Sequence, residues 1–294
     1  MKKLASAVAL MITLGGCKTE KKEKVTTNQK EQEIMELSNK EKAVALLKSL
    51  ETGDQTAVGY IDANKYIQHN LAVADGLEGF GAVLQNAPEG GFKAEIIRAY
   101  EDGDYVFTHT IYDFFGPKVG FDVFRFENGK IVEHWDNLLQ IMPPNPSGHT
   151  QTDGPTTSVD LDKTEANKTL VGDFVNTILM KGEMDQVGNY ITEGEANYIQ
   201  HNPAVADGLS GLGKALEGMA KQGIYMVYDK THKVLGEGNF VLTISEGTFA
   251  DQPTSYYDLF RVEDGKIVEH WDVMETILPE SEWKNTNGKF NFPD

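Results

Sequence analysis

The chain has 294 residues, with 45 acidic against 27 basic side chains and a formal charge of −18. That negative excess opposes binding to nucleic acid and broad contact with anionic lipid heads, because Lys and Arg supply most of the attraction to phosphate surfaces. A single cysteine excludes a disulfide within the chain.

Lys2 and Lys3 precede an apolar stretch from Leu4 to Thr13, which ends in Leu14-Gly15-Gly16-Cys17. A basic start, an apolar segment too short to span a bilayer and small residues at a cleavage point describe an export signal over residues 1–17. The Leu-Gly-Gly-Cys ending resembles a bacterial lipobox. The resemblance implies that Cys17 is lipidated and that the mature protein is anchored to a membrane of the bacterial cell envelope. Residues 18–37 are mostly Lys, Glu, Gln, Thr and Asn, with little to bury, and read as a flexible tether.

Beyond the tether the chain repeats itself. Tyr66-Ile67-Gln68-His69-Asn70 recurs as Tyr198 to Asn202, each followed by Ala-Val-Ala-Asp-Gly-Leu, and Gly129-Lys-Ile-Val-Glu-His-Trp-Asp136 recurs as Gly265 to Asp272. The offset is 132 residues at the first block and 136 at the second, far beyond solenoid periods of ~20 to 50, so each copy is expected to be a whole domain. Copy one opens with Ser38-Asn39-Lys40-Glu41, a capping-box pattern, then Ala43, Leu46, Leu47 and Leu50 at helical spacing and a stop at Gly53. Copy two opens at Thr164 and continues through Leu170, Val171, Phe174, Ile178 and Leu179 to Gly182. A short helix, the Tyr-Ile-Gln-His-Asn block and a helix near Gly76 or Gly208 follow in each.

The period then changes to alternation, predicting strands over 92–101, 104–115, 119–126 and 130–141, with turns at Asp102-Gly103, Asn128-Gly129, Glu237-Gly238 and Asp264-Gly265. Helices first and an antiparallel meander afterwards predict an α+β fold, with the helices gathered on one face of each sheet. Pro143, Pro144, Pro146 and Gly148 interrupt the pattern. The predicted organisation is a first domain over 38–142, a protease-accessible linker over 143–163, a second domain over 164–283 and a tail over 284–294.

A hairpin centred between Phe115 and Gly116 would pair Tyr105 with Phe126, Phe107 with Phe124 and His109 with Asp122, all on one largely apolar, inward face. Opposed residues there stand ~4.5 to 5.5 Å apart at Cβ, close enough for an imidazole and a carboxylate to share a proton or to form a buried structural ion pair. The same register in copy two sets Phe240 against Val262, Leu242 against Phe260 and Ile244 against Asp258, leaving that Asp without a His. Along Ile131 to Asp136, alternation places Ile131, Glu133 and Trp135 on one face and Val132, His134 and Asp136 on the other. Tyr66 and Tyr198 read as core aromatics, Asp75 and Asp207 as turn or N-cap residues, and Trp135 and Trp271 as core or pocket wall. No tight ligand spacing supports a metal site, and no Gly-rich phosphate loop supports a nucleotide cofactor.

The Tyr-Ile-Gln-His-Asn block with Ala-Asp-Gly after it, an Asp-x-Phe-Arg strand and Lys-Ile-Val-Glu-His-Trp-Asp together resemble the SnoaL-like polyketide cyclase family, within the nuclear-transport-factor-2-like superfamily. The resemblance covers most of both copies and implies two tandem cones, each a curved antiparallel sheet wrapped around helices with a pocket at the open end. In that family an inward Asp and His do acid-base work in an aldol ring closure, and Asp122 and His109 match in position. The family's pocket mouth implies ligand contacts for His69 and His201, and the pocket walls for Phe124, Trp135, Asp258 and Trp271. The expected partner is a small hydrophobic or carbonyl-containing molecule, handled without a cofactor by a cyclase or isomerase, or held by a non-catalytic binding module. Pairing of the two domains with each other, or of whole chains, is the further possibility.

Overall fold

A computed structural model describes residues 36–89, 91–194 and 197–293, so Cys17 and nearly all of the tether lie outside the described residues. Helix α1 (Asn39–Thr52) begins where the capping box predicts it: Ser38 Oγ accepts from the Glu41 backbone N–H, and the Glu41 carboxylate accepts from the Ser38 N–H at 2.8 Å. It ends at Gly53, whose φ of 72° is the left-handed cap that favours glycine. In copy two, α4 (Thr164–Phe174) runs on through a π-helical turn over Val175–Met180. Of the apolar stripes predicted on both helices, Ala43, Leu46, Leu47, Val171, Phe174 and Ile178 are buried, and Leu50, Leu170 and Leu179 are half-buried.

The remaining elements alternate as expected. Copy one continues with the short α2 (Gln55–Val58), β1 (Ile67–Gln68), α3 (Gly76–Gln85), β2 (Lys93–Asp102), β3 (Tyr105–Asp113), β4 (Pro117–Glu127) and β5 (Lys130–Gln140). Copy two has β6 (Ile199–Gln200), α5 (Gly208–Lys221), β7 (Met226–Glu237), β8 (Phe240–Phe249), β9 (Gln252–Glu263) and β10 (Lys266–Thr276). The two sheets share one topology, β1-β5-β4-β3-β2 and β6-β10-β9-β8-β7, antiparallel except for the first pair in each, which is parallel. The fold is α+β with two tandem domains.

The register differs from the sequence expectation by one residue in both copies. Thr108, not His109, stands opposite Asp122, and Thr243, not Ile244, stands opposite Asp258. A three-residue loop, Phe114 to Gly116, joins β3 to β4, with φ of 53° at Phe115 and 100° at Gly116. Ala250 and Asp251, both at positive φ, form a two-residue turn in copy two. A slip of one residue exchanges the two faces. Tyr105, Phe107 and His109 therefore lie on the opposite side of the sheet from Asp122, Phe124 and Phe126. A bulge at Val132 likewise separates Ile131, which joins the cone interior, from Glu133 and Trp135, which face outward.

Both faces are buried, and this removed the polarity contrast that would have set the register. The inner face of each sheet packs on its own helices, Ala43, Leu46, Phe124 and Phe126 in the first cone and Val171, Phe174, Tyr256 and Phe260 in the second. The outer faces pack on each other. Phe107, Phe121, Val123 and Trp135 from one sheet meet Phe240, Leu242, Leu259 and Trp271 from the other in a single core, with the Tyr100 and Phe240 rings stacked at 4.8 Å.

The segments after each meander, the predicted linker and tail, also act as straps. Asn145 donates to the carbonyls of Gln200 and Val205, and Asp153 O accepts from the Trp271 indole at 3.0 Å. The buried Arg98 of the first domain, stacked 4.4 Å over Trp271, donates to the carbonyls of Thr152, Asp153 and Pro155. After the second domain, Asn285 donates to the carbonyls of Asn70 and Val73, and Phe292 stacks on Trp135 at 4.3 Å. Residues 143–163 are mostly exposed, and several of their backbone carbonyls, those of Thr152, Asp153 and Pro155 among them, are hydrogen-bonded to the domains.

Candidate functional site

The two repeated blocks interlock. Parallel pairing sets Ile67 opposite Glu133 and Gln68 opposite His134, so successive residues of Tyr-Ile-Gln-His-Asn meet successive residues of Glu-His-Trp-Asp. On the outer face, His69 bonds Glu133 at 3.2 Å and stacks on Trp135 at 4.5 Å, while Arg125 closes an ion pair on the same carboxylate. On the inner face, Gln68 meets His134, and Asn70 Nδ2 donates to Asp136 Oδ2 at 2.8 Å. The second copy repeats every contact: His201 with Glu269 and Trp271, Arg261 with Glu269, Gln200 with His270, and Asn202 with Asp272.

Each cone encloses a cavity above its inner-face network, of about 140 Å³ in the first domain and about 320 Å³ in the second. Tyr66, Gln68, Asn70, Asp122, Phe124, His134 and Asp136 reach the first cavity, and Tyr198, Gln200, Asn202, Asp258, His270 and Asp272 the second. Of the residues singled out from sequence, Asp122, Phe124 and Asp258 line these cavities. His109, His69, His201, Trp135 and Trp271 do not, because the register puts them on the outer face between the sheets. His109 stacks on Phe121 and accepts from Arg98, and burial first, then the Arg98 charge, push its pKa well below the usual imidazole range.

The histidine that meets Asp122 is His134, at 3.1 Å, and Asp258 has the same partner in His270 at 3.0 Å. The expected asymmetry between copies is therefore absent. Gln68 Oε1 accepts from the Asn70 backbone N–H, so the same oxygen must accept from His134 Nδ1, while Nε2 donates to Asp122. A ring that donates at both nitrogens is an imidazolium. Burial opposes its charge, but the Asp122 hydrogen bond and the Asp136 and Asp122 carboxylates outweigh burial and raise the pKa of His134, as Asp258 and Asp272 do for His270. Tyr112 also donates to Asp122, at 2.5 Å, and Tyr228 to Asp258 at 3.2 Å.

Two groups in each cavity remain available. Asp136 Oδ1 and Asp272 Oδ1 are buried without a hydrogen-bond partner, each carboxylate being held only through its other oxygen. Burial, reinforced by the Asp258 charge, raises the pKa of Asp272 above the ordinary carboxyl range. Opposite in character is Tyr198, whose hydroxyl accepts from Gln200 Nε2 at 2.7 Å and keeps its own proton free for another acceptor. Burial, then the Asp258 and Asp272 charges, push its pKa far above the usual phenol range, as burial with Asp136 and Asp122 does for Tyr66. Asp136 and Asp272, His134 and His270, were missed as site residues, although their strict repetition beside the Tyr-Ile-Gln-His-Asn block was the available signal. Asp122, His134 and Asp136 also offer ligand atoms within 4.8 Å of one another, but an ion there would have to displace the His134–Asp122 hydrogen bond.

Residues 43–134 match the family model described as a SnoaL-like domain. No curated protein matches the chain. Among solved structures, a candidate polyketide cyclase from Streptomyces antibioticus is 19% identical over 35% of this chain and 92% of its own, with a TM-score of 0.30. A candidate polyketide cyclase from Bacillus cereus is 22% identical over 35% of this chain and 78% of its own, with a TM-score of 0.30. An epoxide hydrolase of the LEH-like kind from M. tuberculosis is 20% identical over 34% of this chain and 82% of its own, again with a TM-score of 0.30. The similarity to the SnoaL-like domain family thus lies in residues 43–134, within the first copy.

Proposed function

We propose that the protein is a cofactor-independent acid-base enzyme for a small, largely apolar carbonyl compound, held at the bacterial cell envelope through a lipidated Cys17, with the second cone as its principal site. The observation that carries this reading is the unpartnered buried carboxylate oxygen of Asp272, in the same cavity as the free phenolic proton of Tyr198. An acceptor and a donor in an apolar chamber suit proton abstraction next to a carbonyl: Asp272 takes the α-proton while Tyr198 hydrogen-bonds the oxygen on which negative charge develops. The proton then returns from Asp272 to the same or a conjugated carbon. His270 and Asp258, already bonded to each other, act as positioning residues. The cavity of about 320 Å³ falls within the ~300 to 1,000 Å³ usual for small-molecule sites, whereas the first, at about 140 Å³, falls below it. That smaller chamber favours a second reading for the first domain alone, a structural partner that buttresses the shared core.

The test is α-deuteration in D₂O of a panel of medium-chain and alicyclic ketones, read by mass spectrometry. Asp272→Asn should slow exchange by about 10²- to 10⁴-fold while thermal shifts by the same ketones persist, and Asp136→Asn should do little. Ketone binding with no exchange would leave the non-catalytic binding module as the better account, and exchange indifferent to Asp272→Asn would remove Asp272 as the base.

A further inference from the structure

The strap that crosses the second domain carries His149 and Asp153, and it lays them beside His201. Ligand atoms of these three side chains all lie within 4.8 Å of one another. Asp153 Oδ1 is 2.7 Å from His201 Nδ1, and its other oxygen is 3.6 Å from His149 Nδ1. These spacings bracket the ~3.3 Å edge of a tetrahedron whose metal–ligand bonds are ~2.0 to 2.1 Å long.

Each ring nitrogen that points away from the cluster is engaged by a carboxylate. His201 Nε2 meets Glu269 Oε1 at 2.8 Å, and His149 Nε2 meets Asp207 Oδ2 at 3.1 Å. A metal-ligating histidine characteristically has its outer nitrogen held this way, which orients the ring and enriches the inner nitrogen. The His201 side chain is 1% exposed, so its orientation is fixed by the fold, and its inner nitrogen also faces the Thr150 carbonyl at 2.8 Å. The corner is rich in lone pairs. A metal ion here would take the place of the His201 Nδ1 proton that Asp153 and the Thr150 carbonyl otherwise accept, since metal binding at histidine releases a proton.

Among the described residues, the first domain lacks this arrangement. There the C-terminal strap follows the same path: Asn285 parallels Asn145, and Gly288 and Gly148 both adopt positive φ. The residue after the glycine is Lys289 in place of His149, and its ammonium bonds the Asp136 carbonyl and Glu275. There Asp75, the counterpart of Asp207, is met at 2.8 Å by the Asn287 amide rather than by an imidazole.

We infer that His149, Asp153 and His201 bind one divalent transition-metal ion of the zinc class, which fastens the strap to the second cone beside the start of α5. Two imidazoles and one carboxylate with a position left for water or the Thr150 carbonyl are a donor set suited to Zn²⁺. Zn²⁺ alone, titrated calorimetrically into chelator-stripped full chain, should bind with one equivalent and raise the melting temperature, since a ligand specific to the folded state stabilises it. His149→Ala and Asp153→Asn alter partly exposed strap residues. Each should weaken binding by at least about 10- to 100-fold, the range that loss of a single supporting partner already produces, with the metal-free melting temperature unchanged. Absence of saturable Zn²⁺ binding, parental affinity retained in both variants, or loss of binding in Asp136→Asn instead, which would place the ion in the first cavity, would each overturn the assignment.

Discussion

Phe240→Ala tests whether the two cones are one cooperative body. Phe240 belongs to the second domain, is fully buried, and packs against Tyr100 of the first at 4.8 Å and Trp271 at 6.0 Å. Removing the ring loses its transfer free energy and opens a void in a core that neither domain can close alone, and Phe→Ala at such a site costs about 3–5 kcal/mol. That is a large part of the ~5–15 kcal/mol by which native proteins are usually stable. At about 2–4 °C per kcal/mol for a chain of this size, the melting temperature should fall by about 6–20 °C. Differential scanning calorimetry should show one transition in the parent and one, displaced downward, in the variant. The straps argue the same way, because Asn145 ties the second domain to the segment that follows the first, and Asn285 ties the first domain to the segment that follows the second. Two resolved transitions, with only one moved by Phe240→Ala, would refute the shared core as the unit of stability and restore the independent halves that the sequence suggested.

Stability should also depend on pH in a stated direction. His134, His270 and Asp272 all have pKa values raised on folding, so their stabilising contributions are complete below the unfolded values, about 6.5 for His and 3.9 for Asp, and are lost as pH rises through the folded ones. The urea midpoint should therefore decline as pH rises above about 6.5; a midpoint that climbs there would show that the imidazolium assignment is wrong. Gly247→Ala should destabilise by about 1–3 kcal/mol, since its Cβ would stand 1.9 Å from the Val227 carbonyl oxygen, and an unchanged denaturation curve would contradict that close approach. Cys17→Ala should abolish metabolic labelling with fatty acid and release the protein from the membrane fraction, whereas persistent labelling would rule out Cys17 as the attachment point.

Much of this architecture was legible in the residues themselves. Ser38 and Glu41 fixed a helix start through a local capping box, the Gly turns fixed the ends of the strands, and the repeated blocks established two copies of one domain, because each of these depends on neighbours within a few positions or on identity alone. Register depended on something else. Alternation tells inside from outside only when one face meets water, and here the outer face of each sheet meets the other sheet, so Phe107 and Phe124 look alike in sequence yet lie on opposite sides. The partnership of Asp122 with His134 rather than His109, the free oxygens of Asp136 and Asp272, and the meeting of His149 with His201 all follow from that packing. They bring together residues far apart in the chain, and only the assembled structure, through its register and straps, decides which of them touch.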